Sequence, residues 1–217
     1  FLGLSGIWLS LIKRAKLIFN VSDLWPESAV QLGLVRKDSL AHRLSAWLEK
    51  TCYRRAWLVT GQSKEILRDI QARFPNKRTY RLSNGVDVEK FSSSAQGGNH
   101  LLSPSGRCIA LYAGLHGLAQ GLGQLILAAD ELRNEPELEI VLVGDGPEKQ
   151  VLVEAARRRE LPNVRFLDPV PAEDVPDLLA SADILLITLK SYIPGAVPSK
   201  LYEAMASGKP VVLVACG

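Results

Sequence analysis

The sequence predicts an α/β protein built from two doubly wound halves, and three observations predict it. Short apolar runs alternate with amphipathic stretches along the chain, the pattern of repeated βα units around a parallel sheet. Near the middle that rhythm is interrupted by Ser92-Ser93-Ser94-Ala95-Gln96-Gly97-Gly98-Asn99, small and polar as a linker should be. The two sides also differ in charge. Residues 1–90 carry 16 Lys/Arg against 8 Asp/Glu, and residues 91–217 carry 10 against 15, which suggests two domains facing different partners.

Taken in order, Phe1–Arg14 reads as a helix and Lys16–Val21 as a strand ending in the turn Ser22-Asp23-Leu24-Trp25-Pro26. Leu40–Arg55 fits a helix with Leu40, Leu44, Trp47, Leu48 and Cys52 on one face. Ala56–Thr60 is a strand, Ser63–Phe74 a helix, and Thr79–Leu82 a short strand running into Ser83-Asn84-Gly85-Val86-Asp87. Beyond the polar stretch the alternation resumes: strand Cys108–Ala113, helix Leu122–Leu132, strand Leu138–Val143, helix Glu148–Arg158, strand Val164–Leu167. A short helix near Val175–Ala180, strand Ile184–Ile187, helix Lys200–Ala206 and strand Val211–Val214 complete the series. The expected domains are residues 1–90 and 106–217, joined by a linker over 91–105.

The chain is 47% apolar and 23% charged, as an ordinary globular protein is. It opens inside an apolar stretch at Phe1 and stops in a strand-like run at Gly217, so it reads as a fragment. Cys52, Cys108 and Cys216 are odd in number and widely spaced; they form neither a zinc pattern nor a disulfide framework, and a reduced cytosolic protein is the default. The run Phe1–Ile12 is too short to span a bilayer. The basic half is either a set of solvated helix faces or a surface attracted to an anionic membrane or a phosphate-bearing acceptor. No aromatic residues interleave with the basic ones in a nucleic-acid-binding motif.

In doubly wound folds ligands bind beyond the carboxyl ends of the strands, so those loops hold the candidate chemistry. After Ile109–Ala113 comes Gly114-Leu115-His116-Gly117-Leu118-Ala119-Gln120-Gly121-Leu122-Gly123 and a helix. Its glycines either turn the chain for steric reasons or bring amides close to an anion such as a diphosphate. His116, between glycines, suits polar contact with a ligand. Gly144-Asp145-Gly146-Pro147-Glu148 is first a tight turn and second a wall for a base or ribose. In Pro198-Ser199-Lys200-Leu201-Tyr202-Glu203, Ser199 is a candidate N-cap. Lys200 in a first helical turn runs against the dipole unless an anion sits there. Glu203, one turn on, could accept from ribose hydroxyls, or pair with Lys200 on a solvated surface. His42 and His100 lie in polar surroundings and read as surface residues, and no histidine has a carboxylate at metal-ligand spacing.

Five segments in order resemble the retaining GT-B glycosyltransferases of the group 1 (family 4) type. They are Asp23-Leu24-Trp25-Pro26-Glu27-Ser28, Ser83-Asn84-Gly85-Val86-Asp87, Tyr112-Ala113-Gly114, Val143–Glu148, and Tyr202-Glu203-Ala204-Met205-Ala206-Ser207-Gly208-Lys209-Pro210-Val211-Val212. Asp-Leu-Trp-Pro-Glu-Ser with His-Gly-Leu-Ala-Gln-Gly resembles the fucosamine-transferase-like subgroup of O-antigen, capsule and exopolysaccharide assembly.

The resemblance implies two Rossmann-like domains facing a cleft, the first incomplete and the second truncated. The second would bind a UDP-sugar, donating an N-acetylated hexosamine or deoxyhexosamine with retention, without metal or cofactor. Donor contacts would come from Gly114, His116, Gly117, Gln120, Gly121, Gly144, Asp145, Ser199, Lys200 and Glu203, with Lys200 and Glu203 carrying the catalytic roles and Asp23 and Trp25 on the acceptor side. The acceptor would be a polyprenyl-diphosphate-linked glycan, reached by a cytoplasmic protein on the inner membrane surface. The family's first paired glutamate falls on Gly195, its phosphate-loop Arg and Lys on Leu115 and Gln120, and its strand-end His on Ser22. A sugar-nucleotide epimerase on the same scaffold, or a non-catalytic nucleotide-sugar-binding fragment, are the alternatives.

Overall fold

The structure, a computed structural model, describes residues 2–97, 102 and 106–215. By its contacts the chain forms two compact units. One runs up to Asn84 and also takes Ile193–Val197; the other comprises Gly85–Tyr192 and the chain from Pro198 on.

In the first unit, α1 (Leu2–Ile12) leads to β1 (Ile18–Val21), the short α2 (Glu27–Gln31), α3 (Leu40–Arg55), β2 (Leu58–Gly61), α4 (Lys64–Arg73) and β3 (Thr79–Arg81). The strands form a parallel sheet in the order β1-β2-β3. Caps place the helices: the Ser39 hydroxyl accepts from the His42 amide and the Ser63 hydroxyl from the Ile66 amide, each at 3.2 Å. Arg54 and Arg55 close α3, and Arg73 closes α4, with the polarity the helix dipole favours. Val21, Leu24, Tyr53, Val59, Ile66 and Ile70 make the core. The Tyr53 ring sits edge-on between Phe19 and Phe74, with centroids 5.9 and 5.6 Å away.

Only part of the expected apolar face of α3 is covered: Cys52 is buried and Leu48 half-buried. Leu40, Leu44 and Trp47 are exposed, while Glu49, Cys52 and Tyr53 face inward. Periodicity groups residues onto one side of a helix, but neighbouring layers decide which side is covered. Glu49 tolerates burial because Arg73 donates to both its carboxylate oxygens, at 2.6 and 2.9 Å. Burial of the Tyr53 phenol raises its pKa, and the neighbouring Glu49 carboxylate raises it further. Arg73→Ala would strand a carboxylate that is only 7% exposed. The expected cost is about 2–3 kcal/mol, below the full buried-pair value because Arg73 is partly solvated, and urea unfolding measures it.

The second unit begins with α5 (Val88–Gly97) and continues β4 (Cys108–Ala113), α6 (Gly123–Glu131), β5 (Leu138–Val143), α7 (Lys149–Arg158), β6 (Val164–Leu167), α8 (Val175–Ala180), β7 (Ile184–Thr188), α9 (Ser199–Ala206) and β8 (Val211–Val214). All five strands are parallel, in the order β6-β5-β4-β7-β8. Alternate residues of β4, β5, β6 and β7 serve two cores, because both faces of a parallel sheet are covered. Ile109, Leu111, Val141, Val143, Leu185 and Ile187 pack with α5, α8 and α9. Ala110, Tyr112, Ile140 and Leu142 pack with α6 and α7. Strand order reverses at β4, between β5 and β7, which makes the carboxyl end of β4 the topological switch point.

The stretch read as linker, 91–105, is helical as far as Gly97. The Asp87 carboxylate starts that helix by accepting from the Lys90 amide at 3.1 Å, and Phe91 anchors it in the core at 8% exposure. Local polarity hid a helix held by one aromatic. Among the expected histidines, His42 is half-buried, and His100, with most of the remaining linker, lies outside the described residues.

Candidate functional site

At the switch point a cavity of about 570 Å³ opens, a size usual for small-ligand sites. Gly114 and Leu115 from the end of β4, Gly144 and Asp145 from the end of β5, and Lys200 and Glu203 from α9 line it. Of the residues the sequence singled out for a donor, these gather five: Gly114, Gly144, Asp145, Lys200 and Glu203.

Lys200 is placed by a missing atom. Gly114 has a φ of +146°, and a Cβ there would occupy the space filled by the Lys200 ammonium. The side chain is half-buried, and burial lowers its pKa, opposed by the nearby Glu203 carboxylate. Lys200 belongs to none of the ion pairs found among the described residues. A desolvated ammonium at the N-terminal turn of α9, where the helix itself presents positive potential, is an arrangement that an incoming anion stabilises. Glu203, on the same wall one turn along, supplies an acceptor for hydroxyl groups.

Two glycine loops build the rim. The Gly114 amide donates to the Val143 carbonyl at 2.8 Å, the His116 amide to the Asp145 carbonyl at 2.8 Å, and the Glu148 amide to the His116 carbonyl at 2.9 Å. Gly144 and Gly146 have φ of +143° and +151°. A Cβ on either would collide with backbone of the facing loop, at the Gly114 carbonyl and at His116 respectively. Asp145 accepts from the Gly146 amide at 2.8 Å and stays exposed.

The other expected donor residues lie elsewhere. His116 is fully buried beneath the rim, with its ring among Tyr112 and Phe166, so its side chain does not line the cavity. Gly117 is buried and turns the loop over Gln120. The Gln120 carbonyl accepts from the Thr188 hydroxyl at 2.6 Å, and Gly121, at φ +60°, lies against the Lys190 backbone. Gln120 and Gly121 pin the loop to the end of β7. Ser199 does not cap α9: the capping position is Pro198, without a side-chain hydrogen bond, and Ser199 is the exposed first helical residue. Proline's fixed φ already suits that entry, which leaves the hydroxyl unneeded.

Residues that sequence reasoning passed over complete the walls: Lys90 and Phe91 on α5, and Pro169, Val170 and Ala172 beyond β6. The latter follow a strand end, so the rule that pointed to Gly114 and Gly144 would have found them. Lys90 and Phe91 were hidden because their helix was read as linker.

Asp23 and Trp25 sit in the first unit, where they line a separate cavity of about 260 Å³ with Phe19, Ser45, Glu49 and Tyr53. Partial desolvation by that wall raises the Asp23 carboxyl above its ordinary pKa. Gly195, also in the first unit, has φ +73° and donates its amide to the Glu65 carboxylate at 2.8 Å. No group of three or more metal-ligating side chains occurs among the described residues.

Comparison with known proteins gives consistent relatives. The family model described as glycosyl transferases group 1 matches residues 99–217. The Pseudomonas aeruginosa protein named "Probable glycosyltransferase WbjE" is 27% identical over 204 residues, 92% of this chain and 51% of that protein. WcaI of Escherichia coli (strain K12), named for colanic acid biosynthesis, is 28% identical over 216 residues, 95% of this chain and 53% of that one. This chain thus spans about half the length of the curated relatives it matches. Among solved structures, Anabaena Alr3699/HepE in complex with UDP superposes with a TM-score of 0.71 at 24% identity, covering 97% of this chain and 56% of that one. Sucrose-phosphate synthase from Thermosynechococcus elongatus gives 0.73 at 19% identity, over 97% and 54%.

Proposed function

The chain belongs to the group 1 glycosyl transferases and shares the GT-B fold of its structural neighbours, and from that premise we propose that its second unit binds the diphosphate of a UDP-sugar at Lys200. The observation that carries the reading is the half-buried Lys200 ammonium against Gly114, outside every ion pair found among the described residues, at the switch point of a parallel sheet. Glu203 takes the ribose hydroxyls, and the apolar wall of Phe91 and Val170 suits a base.

In the whole protein the reaction is glycosyl transfer. The bond between the anomeric carbon and the diphosphate oxygen breaks, its electrons stay with UDP, and the acceptor oxygen joins the sugar as its proton passes to the departing diphosphate. Negative charge develops on the departing diphosphate, where Lys200 and the amino end of α9 stabilise it. The family resemblance supports retention, independence of metal and a donor sugar of the N-acetylated hexosamine or deoxyhexosamine type. The relatives' names support a polysaccharide precursor as acceptor, with Asp23 and Trp25 on that side and a polyprenyl diphosphate as its carrier. Exposed Trp8, Leu11 and Trp47 near Lys13, Arg14, Arg43 and Lys50 in the first unit favour a cytoplasmic protein resting on an anionic membrane surface. No helix among the described residues is long and apolar enough to cross one.

Calorimetric titration with uridine, UMP and UDP tests the site. Affinity should rise steeply as phosphates are added; uridine binding as tightly as UDP would remove the phosphate role of Lys200. Glu203→Ala should weaken UDP roughly tenfold, the value of one charge-assisted hydrogen bond. The same change should leave 2′,3′-dideoxy-UDP unaffected, and an equal loss for both ligands would take Glu203 off the ribose.

A further inference from the structure

His116 stands out because the proposed chemistry does not use it, although it is a fully buried titratable ring in the rim of the site. Neither of its ring nitrogens has a hydrogen-bond partner among the described residues. An imidazole buried in that way is tolerable only when neutral, since a buried, unpaired charge costs far more than a buried dipole. Its backbone, meanwhile, supplies two of the three hydrogen bonds that stitch the loop after β4 to the loop after β5. The Tyr112 hydroxyl fastens the same loop from below by donating to the Leu115 carbonyl at 2.8 Å.

We propose that His116 is a positioning residue whose neutral ring seats the two glycine loops, so that acid unseats them and weakens diphosphate binding at the rim. The groups facing the ring come from four places. Tyr112 on β4 lies 5.9 Å away between centroids and Phe166 on β6 lies 6.5 Å away. Lys149 on α7 disfavours a second positive charge and Asp145 in the rim favours one. Lys149 is itself held in place by Asp168 at 2.8 Å. Burial is the largest influence, and the ring's pKa in the fold lies below its ordinary value.

The sign follows. Below about pH 6.5 the unfolded or opened chain takes up a proton that the closed rim refuses. The closed form is therefore at full strength above that pH and loses ground as pH falls toward the folded-state value. A protonated ring regains water only by leaving its seat, and its backbone hydrogen bonds to Asp145 and Glu148 leave with it.

This inference rests on the nucleotide reading of the cavity, and its test separates the two. His116→Phe keeps an aromatic ring of similar size in the same apolar seat and cannot titrate. Between about pH 7.5 and 5.5 the wild type should lose about fivefold more UDP affinity than His116→Phe, and protonation of the UDP phosphate, common to both, cancels. Parallel losses in the two proteins would overturn the proposal. The second measurement needs neither ligand nor variant: imidazole proton NMR of the wild type, with hydrogen exchange of the rim amides. The His116 resonance should stay neutral until the amides of His116 and Glu148 lose protection. A ring that protonates near its ordinary pKa beneath a still-protected rim would overturn it too, whether or not UDP binds.

Discussion

Replacing Lys200 by alanine is expected to weaken UDP binding by roughly 10- to 100-fold, the range set by hydrogen bonds to a charged group, without lowering the melting temperature. The ammonium sits in a cavity at the end of the sheet, and its burial is a cost that no ion pair among the described residues offsets. Removing it therefore relieves the free protein slightly while depriving the diphosphate of its main cation. Lys200→Arg is expected to recover little. A guanidinium is broader than an ammonium, and the space above Gly114 is only what the absent Cβ leaves open. Calorimetry and thermal melts together check the pair of outcomes, and a large fall in melting temperature with unchanged UDP affinity would make Lys200 structural.

The opposite signature is expected at Gly144. Alanine there would place its Cβ against the Gly114 carbonyl, a backbone atom, at a φ of +143° that L residues rarely adopt. Gly114 has little room to retreat: its amide is tied to the Val143 carbonyl at 2.8 Å, and Gly144 is tied in turn to the Leu167 carbonyl at 3.2 Å. Strain and collision together should cost about 3 kcal/mol, which lowers the melting temperature by roughly 6–12 °C for a chain of this size. UDP binding should fall with it, because the two loops carry the rim. Gly208, whose φ is +68° but whose missing Cβ faces open space, is the control: alanine there should cost only about 1 kcal/mol.

Much of this was legible in the residues. Strands Cys108–Ala113, Leu138–Val143, Val164–Leu167 and Val211–Val214 were located to the residue, because short runs rich in Val, Ile and Leu between turn and helix signals read as strands. Gly114, Gly144, Lys200 and Glu203, expected at a donor site, line one cavity for a related reason: the rule that ligands bind past strand ends is topological and needs no side-chain coordinates. What failed were judgements about what a side chain faces. His116 lies in a glycine loop, and only the fold shows its ring turned down into the β4–β6 layer. Leu40, Leu44 and Trp47 share a helical stripe that no neighbouring element covers among the described residues. The helix Val88–Gly97 has a cap and one buried aromatic but a polar remainder, so its stability comes from packing rather than from its own composition.

An NMR titration of the labelled chain with UDP tests most directly whether a nucleoside diphosphate binds at the end of β4 under Lys200. The amides of Gly114, Gly144 and Asp145 and the side chains of Lys200 and Glu203 should shift together along one saturating curve. Saturable UDP binding that leaves those five unmoved, or a folded protein on which UDP moves nothing, would contradict binding there.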